Sequence, residues 1–447
     1  MTKVTVIGAG LAGCEAANTI ASLGVAVDLY EMKQKRKSPA HHSDGFAELV
    51  CSNSLRAASI ENAIGLLKEE LRRLGSLIMT SADKASVPAG GALAVDRDEF
   101  SSYITDSIRN NPLINVIDEE VLKIPEEGIV VIATGPLTDG GLYEDIMRLV
   151  GNNDLHFFDA AAPIVSLESI DMTKAFRQSR YGKGGDDYIN CPMNRDEYLA
   201  FYNALINAER ADVKGFDKEV VFEGCMPIET MASRGEDTMR FGPLKPVGLT
   251  DPRTGEEPYA CLQLRQDDRQ GSMYNLVGFQ TRLKWPEQKK VFGMIPGLEN
   301  AEYLRYGVMH RNTYINSPEL LTSHYEVRKR PGLFFAGQIT GVEGYIESTA
   351  SGFLAGFYAA LKALGLDDVY EPDSDTVIGS MANYVSDKNV KSFVPMNANF
   401  GLVNPYPAKF KGKDKKKQKN AAIADRALVK IEDFANIINS VRQKNGV

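Results

Sequence analysis

Cysteine, long apolar runs and net positive charge are all scarce in this chain of 447 residues, and each shortage closes off a class of protein. The five cysteines, Cys14, Cys51, Cys191, Cys225 and Cys261, are odd in number, irregularly spaced and without a CxxC pair. That pattern argues against a disulfide framework and a zinc site, and fits reduced thiols in a cytosolic protein. His41 and His42 are adjacent but have no third ligand at a metal-binding spacing, so they read as part of a polar loop and no metal is expected. No apolar run reaches the roughly 18 residues of a membrane span. Met1 leads into a strand with no charged segment ahead of an apolar one, so a cytoplasmic protein with no membrane partner is expected. Lys and Arg number 51 against 59 Asp and Glu, a formal charge of −8. A global excess of acid disfavours nucleic acid as a partner, although it leaves local basic patches open.

What is present is an ordinary globular composition carrying two glycine-rich elements, one near each end. Lys3 to Ile7 reads as a β-branched strand, Gly8 to Gly13 as a turn, and Cys14 to Leu23 as a helix. Val25 to Tyr30 follows as a second strand ending in Glu31, which completes a βαβ unit. Glu61 to Leu74 has helical periodicity, and Ile129 to Gly135 reads as a buried strand ending in glycine. From about Asp186 to Asn300, short runs punctuated by Pro, Gly and charge predict a mixed α+β insertion. Leu333 to Ala336 then reads as a strand, Gly337 to Tyr345 as a turn, and Glu347 to Leu364 as a helix; Ile423 to Val441 reads as a further helix. The expected division is 1–95 and 96–185 in the nucleotide-binding domain, with a short insertion near 96–120, then 186–304 as the insertion domain and 305–447 returning to the first domain.

The first turn has the spacing Gly8-x-Gly10-x-x-Gly13, in which Gly8 permits the turn, Gly10 lets the backbone approach a pyrophosphate and Gly13 lets helix pack on strand. Ala9, Leu11 and Ala12 complete this loop, and the helix N-terminus faces the phosphates. Glu31 is placed to accept from a ribose hydroxyl, which disfavours a 2′-phosphate and points to FAD or NAD. The late element favours FAD. There Gly337, Gln338 and Gly344 bring backbone close to a cofactor a second time, and Tyr345 is a candidate to lie against the flavin.

VIGAGLAGCEAA, AELVCSNSLR around Cys51, FEGCMPIE around Cys225, MRFGPLKPVGL, RYGVMHRNTYINSP and LFFAGQITGVEGYIESTASG together resemble the folate- and FAD-dependent tRNA (uracil-5-)-methyltransferases, the TrmFO family. The GQITG…GY element is also similar to the longer FAD proteins that modify the tRNA wobble uridine, and the cysteine-bearing stretches discriminate between the two. The resemblance implies an α/β fold: a Rossmann-like FAD-binding domain, glutathione-reductase-like and GidA-related, interrupted by the α+β insertion. It also implies methylation of carbon 5 of the T-loop uridine at tRNA position 54, with 5,10-methylenetetrahydrofolate as one-carbon donor and NAD(P)H as reductant. The same chemistry on a 23S rRNA uridine, or a flavin oxidoreductase acting on a small metabolite, are the alternatives.

Carbon 5 of uracil is a poor nucleophile until a thiolate adds at carbon 6, so the chemistry requires a reactive cysteine. The resemblance implies that Cys51 and Cys225 form the catalytic pair, with Cys225 adding to carbon 6. Cys51 then lies nearest the flavin, able to hold a methylene adduct or to assist removal of the carbon 5 proton. Ser52-Asn53-Ser54 reads as a capping run before a helix, placing Cys51 at a helix start with Arg56 near. Cys14, Cys191 and Cys261 read as core. His310 is a candidate to stack on the folate pterin; for His310 and Tyr345 alike a core role stands open. RNA contacts are expected from clusters including Lys33 to Lys37, Arg177 to Lys183, Arg240, Arg265, Arg282, Lys284 and the lysine run from Lys409.

Overall fold

The computed structural model describes residues 3–38, 40–151, 154–182, 184–211, 226–366, 370–390 and 393–446, with backbone alone at 154–159, 310 and 311. The chain opens with β1 (Val4–Ile7), α1 (Leu11–Ser22) and β2 (Val27–Tyr30), as the alternation of β-branched and Ala-rich segments predicts. Then come β3 (Ser54–Ala57), α2 (Ala63–Arg73), α3 (Leu77–Lys84), β4 (Ser86–Val87), β5 (Ala92–Val95), α4 (Arg97–Arg109), β6 (Ile114–Ile117), β7 (Ile129–Ile132) and α5 (Gly140–Val150). The middle of the chain supplies β8 (Asp154–Ala160), β9 (Ile164–Ser166), β10 (Phe176–Arg177), β11 (Tyr188–Met193), α6 (Arg195–Asn207), α7 (Ile228–Ala232), β12 (Ala260–Gln266), β13 (Met273–Leu276), α8 (Trp285–Phe292), β14 (Tyr303–Arg305) and β15 (Met309–Ile315). It closes with α9 (Ser317–Leu320), β16 (Leu333–Phe335), α10 (Tyr345–Leu364), α11 (Val377–Tyr384) and α12 (Lys415–Lys444).

The first sheet is parallel with the order β16-β7-β1-β2-β6, so the late strand lies beside β7 and both termini of the chain serve one sheet. Strands β1, β7 and β16 are buried, as covered parallel strands must be, while β2 and the edge strand β6 are partly exposed. Helices α1 and α10 pack against each other so closely that a Cβ at Gly352 would lie 2.2 Å from the Ala12 carbonyl oxygen. The main hydrophobic core runs from β1 through α10 to α12, whose Ile423, Leu428, Ile431 and Phe434 face inward. The helix expected over 423–441 therefore begins earlier, within the lysine run.

The second sheet has the order β10-β11-β12-β13-β9-β14, with a core of its own that includes Tyr198, Phe201, Phe279 and Phe292. Its strands span 164–305, so β9 and β10 come from before position 186. Those segments are three and two residues long, too short to show a period in sequence. Likewise 96–120 is no insertion: it provides α4 and the edge strand β6 of the first sheet. The antiparallel pair β8 and β15 forms a two-stranded ribbon beside the two sheets. Among the described residues, no helix is long and apolar enough to cross a membrane.

Candidate functional site: two adjoining cavities

The glycine turn between β1 and α1 is dictated by clearance. Gly8 has φ +98°, and a Cβ on Gly13 would sit 1.8 Å from the Gly8 carbonyl oxygen, whereas one on Gly10 would meet nothing within 4 Å. Gly10 thus faces open space, in a cavity of about 170 Å³ that Gly8, Gly10, Leu11 and Ala12 help to line. Gly10 caps α1 without a side-chain bond, which leaves the first turn of the helix directed at this space. Glu31, buried at the end of β2, accepts the Ala9 N–H at 2.7 Å and the Lys33 N–H at 2.9 Å, and lines the same cavity. A cradle that only glycine permits, a helix N-terminus and an acid at the second strand fit the pyrophosphate and ribose of a dinucleotide. Gly337 and Gln338 close the cavity from the other end of the chain.

A second cavity, about 270 Å³, adjoins the first; Val50, Gln338 and Tyr345 line both. Cys51 lines the second cavity, its Sγ 3.7 Å from the Ala160 carbonyl oxygen. The segment carrying it is fixed atom by atom. The Tyr345 hydroxyl accepts the backbone N–H groups of Cys51 at 2.8 Å and Ser52 at 3.2 Å. Arg97 donates to the carbonyls of Leu49 and Cys51, and is itself held by Asp267 at 2.9 Å. Arg305 donates to the Val50 carbonyl. Buried Arg265 donates to Asn53 Oδ1 at 3.1 Å and Ser52 Oγ at 2.7 Å, and Asn53 donates onward to Val95 and Gln266. Arg97, Arg265 and Arg305, the first paired with Asp267, thus close around the segment that carries Cys51.

Several expectations change. No helix follows Cys51: Ser54–Ala57 is strand β3, paired with β5. Ser52 Oγ accepts the Ser54 N–H at 3.1 Å as a cap would, but it also takes Arg265, and Asn53 bonds Arg265, Val95 and Gln266, which hold the segment against the sheet. Arg56 does not serve the thiol; it pairs with the buried carboxylate of Glu347 at 3.0 Å. Arg265 belongs to the interior and not to an RNA face. Arg240 lies 3.6 Å above the Tyr259 ring and bonds Asp237. Gly344 caps α10, and Tyr345 opens it, at the junction of the two cavities. Cys225 lies outside the described residues, as does the side chain of His310, whose backbone pairs with Asp159. Cys14, Cys191 and Cys261 are buried, and burial pushes each thiol up, Cys261 to about 12, which suits inert core. Arg97, Asp267 and Arg305 carried no signal beyond their charge, since their partners lie 46 to 255 positions away.

A parallel sheet of this order, with a glycine turn feeding one cavity and a thiol at the next, defines a dinucleotide-binding protein of the Rossmann-like class. The family model described as "Glucose inhibited division protein A" matches residues 3–367. A methylenetetrahydrofolate--tRNA-(uracil-5-)-methyltransferase TrmFO of Acetivibrio thermocellus is 62% identical over 433 residues, covering 97% of this chain and 98% of that one. The enzyme of the same name from Listeria innocua is 59% identical over 97% of this chain and 99% of its own. The chain belongs to the glucose inhibited division protein A family and, within it, to the TrmFO group. Its fold matches that of Aquifex aeolicus GidA with a TM-score of 0.70 at 18% identity, covering 99% of this chain and 78% of that one.

Proposed function

We propose that this protein binds FAD in the first cavity and methylates carbon 5 of a tRNA uridine at the second, using 5,10-methylenetetrahydrofolate and NAD(P)H, with the T-loop uridine at position 54 as target. The observation that carries this reading is the shared wall: Val50, Gln338 and Tyr345 separate a dinucleotide cradle from a cavity that holds Cys51. Reduced FAD supplies what side chains lack, hydride and the relay of a one-carbon unit.

The protein's own groups do the rest. The Gly8 to Gly13 turn and the α1 N-terminus hold the pyrophosphate, and Glu31 holds the ribose. Cys225 is assigned the attack on carbon 6, which turns carbon 5 into a nucleophile; the S–C bond breaks again when the carbon 5 proton leaves. Cys51, held by Tyr345, Arg97 and Arg305, is assigned to that proton or to the one-carbon adduct. His310 is assigned to the pterin.

The test is to incubate the holoenzyme with methylene-folate, NADPH and either a tRNA transcript or 23S rRNA, and to analyse nucleosides by mass spectrometry. 5-Methyluridine at tRNA position 54 is expected, with Cys51→Ala and Cys225→Ala each lowering the rate at least a hundredfold. Methylation of the rRNA alone would replace the substrate. Full turnover in both cysteine variants would overturn the chemistry. RNA carrying 5-fluorouridine divides the two thiols: a covalent adduct on Cys51 in place of Cys225 reverses their roles.

A further inference from the structure

Helix α8 opens on Trp285, the single tryptophan of the chain, which is 58% exposed. It lies on Tyr306 with ring centroids 5.3 Å apart and planes 12° from parallel, and Tyr306 lies on Tyr303 at 5.0 Å and 0°. Three parallel rings thus form a ladder whose inner end is packed and whose outer ring meets solvent. The ladder is rigid. Buried Gln288 donates to the Leu283 and Gly307 carbonyls and accepts the Gly307 N–H, which ties α8 to the segment after β14 that bears Tyr306. Both supports continue into the site: Arg305 holds the Val50 carbonyl beside Cys51, and Gly278 and Gln280, leading into α8, line the second cavity.

Charge surrounds the exposed ring. Between Arg282 and Lys290 four cations meet two acids, Glu287, which pairs with Lys290 at 3.6 Å, and Glu209, which pairs with Lys284 at 2.8 Å, so the rim stays net positive in a chain whose overall charge is −8. Lys284, Lys289 and Lys290 are exposed, and Lys289 stands one helical turn from Trp285 on the same face. An aromatic face rimmed by cations matches an unpaired base with its phosphates: the ring stacks on any base, and the cations meet the backbone. An apolar protein surface would cover the tryptophan but offer nothing to the net positive rim around it.

We infer that Trp285, backed by Tyr306 and Tyr303, is a stacking platform for an unpaired base neighbouring the uridine that enters the second cavity. The inference rests on the RNA-modifying function above and adds to it where the substrate is gripped. A target uridine that leaves its stack exposes the face of its neighbour, and a pre-built ring receives that face at low ordering cost.

Because the chain has one tryptophan, its emission reports on this position alone. The experiment titrates FAD-loaded protein with a synthetic T-arm stem-loop RNA, following tryptophan emission and, separately, the anisotropy of end-labelled RNA. Quenching that saturates with RNA binding is expected, with Trp285→Ala weakening the RNA Kd about tenfold and Trp285→Phe remaining within about threefold of the parent. Far-ultraviolet circular dichroism and FAD content establish that the variants are folded. RNA binding by anisotropy with no quenching, and with an unchanged Kd for Trp285→Ala, would overturn the platform while leaving the proposed function standing. Absence of any RNA binding would instead overturn the function on which it rests. Emission that changes with protein concentration alone, together with a smaller oligomer for Trp285→Ala in light scattering, would assign the ring to a contact between copies and overturn the inference.

Discussion

Arg97 shows how one side chain can decide the shape of a reactive loop. It joins the Leu49 and Cys51 carbonyls to Asp267, a carboxylate only 1% exposed. Removing the cation leaves that carboxylate buried without a partner, so Arg97→Ala is expected to lose about 3–5 kcal/mol in urea denaturation. Arg97→Met with Asp267→Leu should regain most of that stability and little of the methylation rate, because the guanidinium bonds to the Leu49 and Cys51 carbonyls are then gone. Lys68 is a second case. It is fully buried, donates to the Leu55 carbonyl at 2.6 Å, and burial pushes its ammonium down to about 7 despite the nearby Glu347 carboxylate. Between about 7 and the unfolded value of 10.5 the unfolded chain holds a proton that the folded protein does not, so this group makes stability rise with pH across that window. Below about 7 both states are protonated and its contribution is flat. Lys68→Met should remove the rise, as denaturation midpoints at pH 7.5 and 9.5 would show.

At the scale of elements, the contact of α1 with α10 joins the two ends of the chain over the cofactor cavity. A Cβ at Gly352 would meet the Ala12 backbone at 2.2 Å, and one at Gly356 the Ala16 backbone at 2.7 Å. Backbone on both sides cannot yield, so Gly352→Val is expected to separate the helices, empty the protein of FAD and lower Tm by several degrees. The strands and helices of this half were legible because β1, β7 and α10 are apolar runs bounded by glycine, and the glycine spacing states its own geometry. Glu31 was legible for the same reason: its place at the end of β2 follows from the turn before it. The strand after Cys51 was not. Ser-Asn-Ser is a capping signature, and Ser52 and Ser54 do accept N–H groups two residues on, but Arg265, more than 200 positions away, also holds Ser52 and Asn53 and the segment continues as a strand. Short strands β9 and β10 were equally silent, since two or three residues cannot establish a period and their membership of the second sheet is decided by partners in β13 and β11.

For the molecule as a whole, an acidic chain with an RNA substrate requires that attraction be local. Several arginines that read as basic surface are engaged elsewhere: Arg265 inside the site, Arg240 on Tyr259, Arg177 on Tyr274. The exposed lysines are grouped, in the run from Lys409 to Lys419 and in Lys284, Lys289 and Lys290 around Trp285. RNA affinity should therefore fall with salt on a log–log slope set by the few of these groups that meet phosphates. Replacing Lys289 and Lys290 with alanine should reduce that slope by about 1.4, two contacts at roughly 0.7 each for single-stranded RNA. A slope unchanged by the double substitution would move the phosphate path to another face.

The hydroxyl of Tyr345 grips the backbone of Cys51 across 294 positions, and this distance along the chain sets a timetable. Translation at about 5–20 residues per second delivers Tyr345 some 15 to 60 s after Cys51. For most of that interval the nascent chain holds β1 and β2, and then β7, without β16 at the edge beside β7 and with α1 uncovered by α10. The reactive loop and the cofactor cradle are thus both completed by the last third of synthesis, so a chain cut short before α10 is without a closed site, with apolar strand and helix faces open to chaperones and proteases.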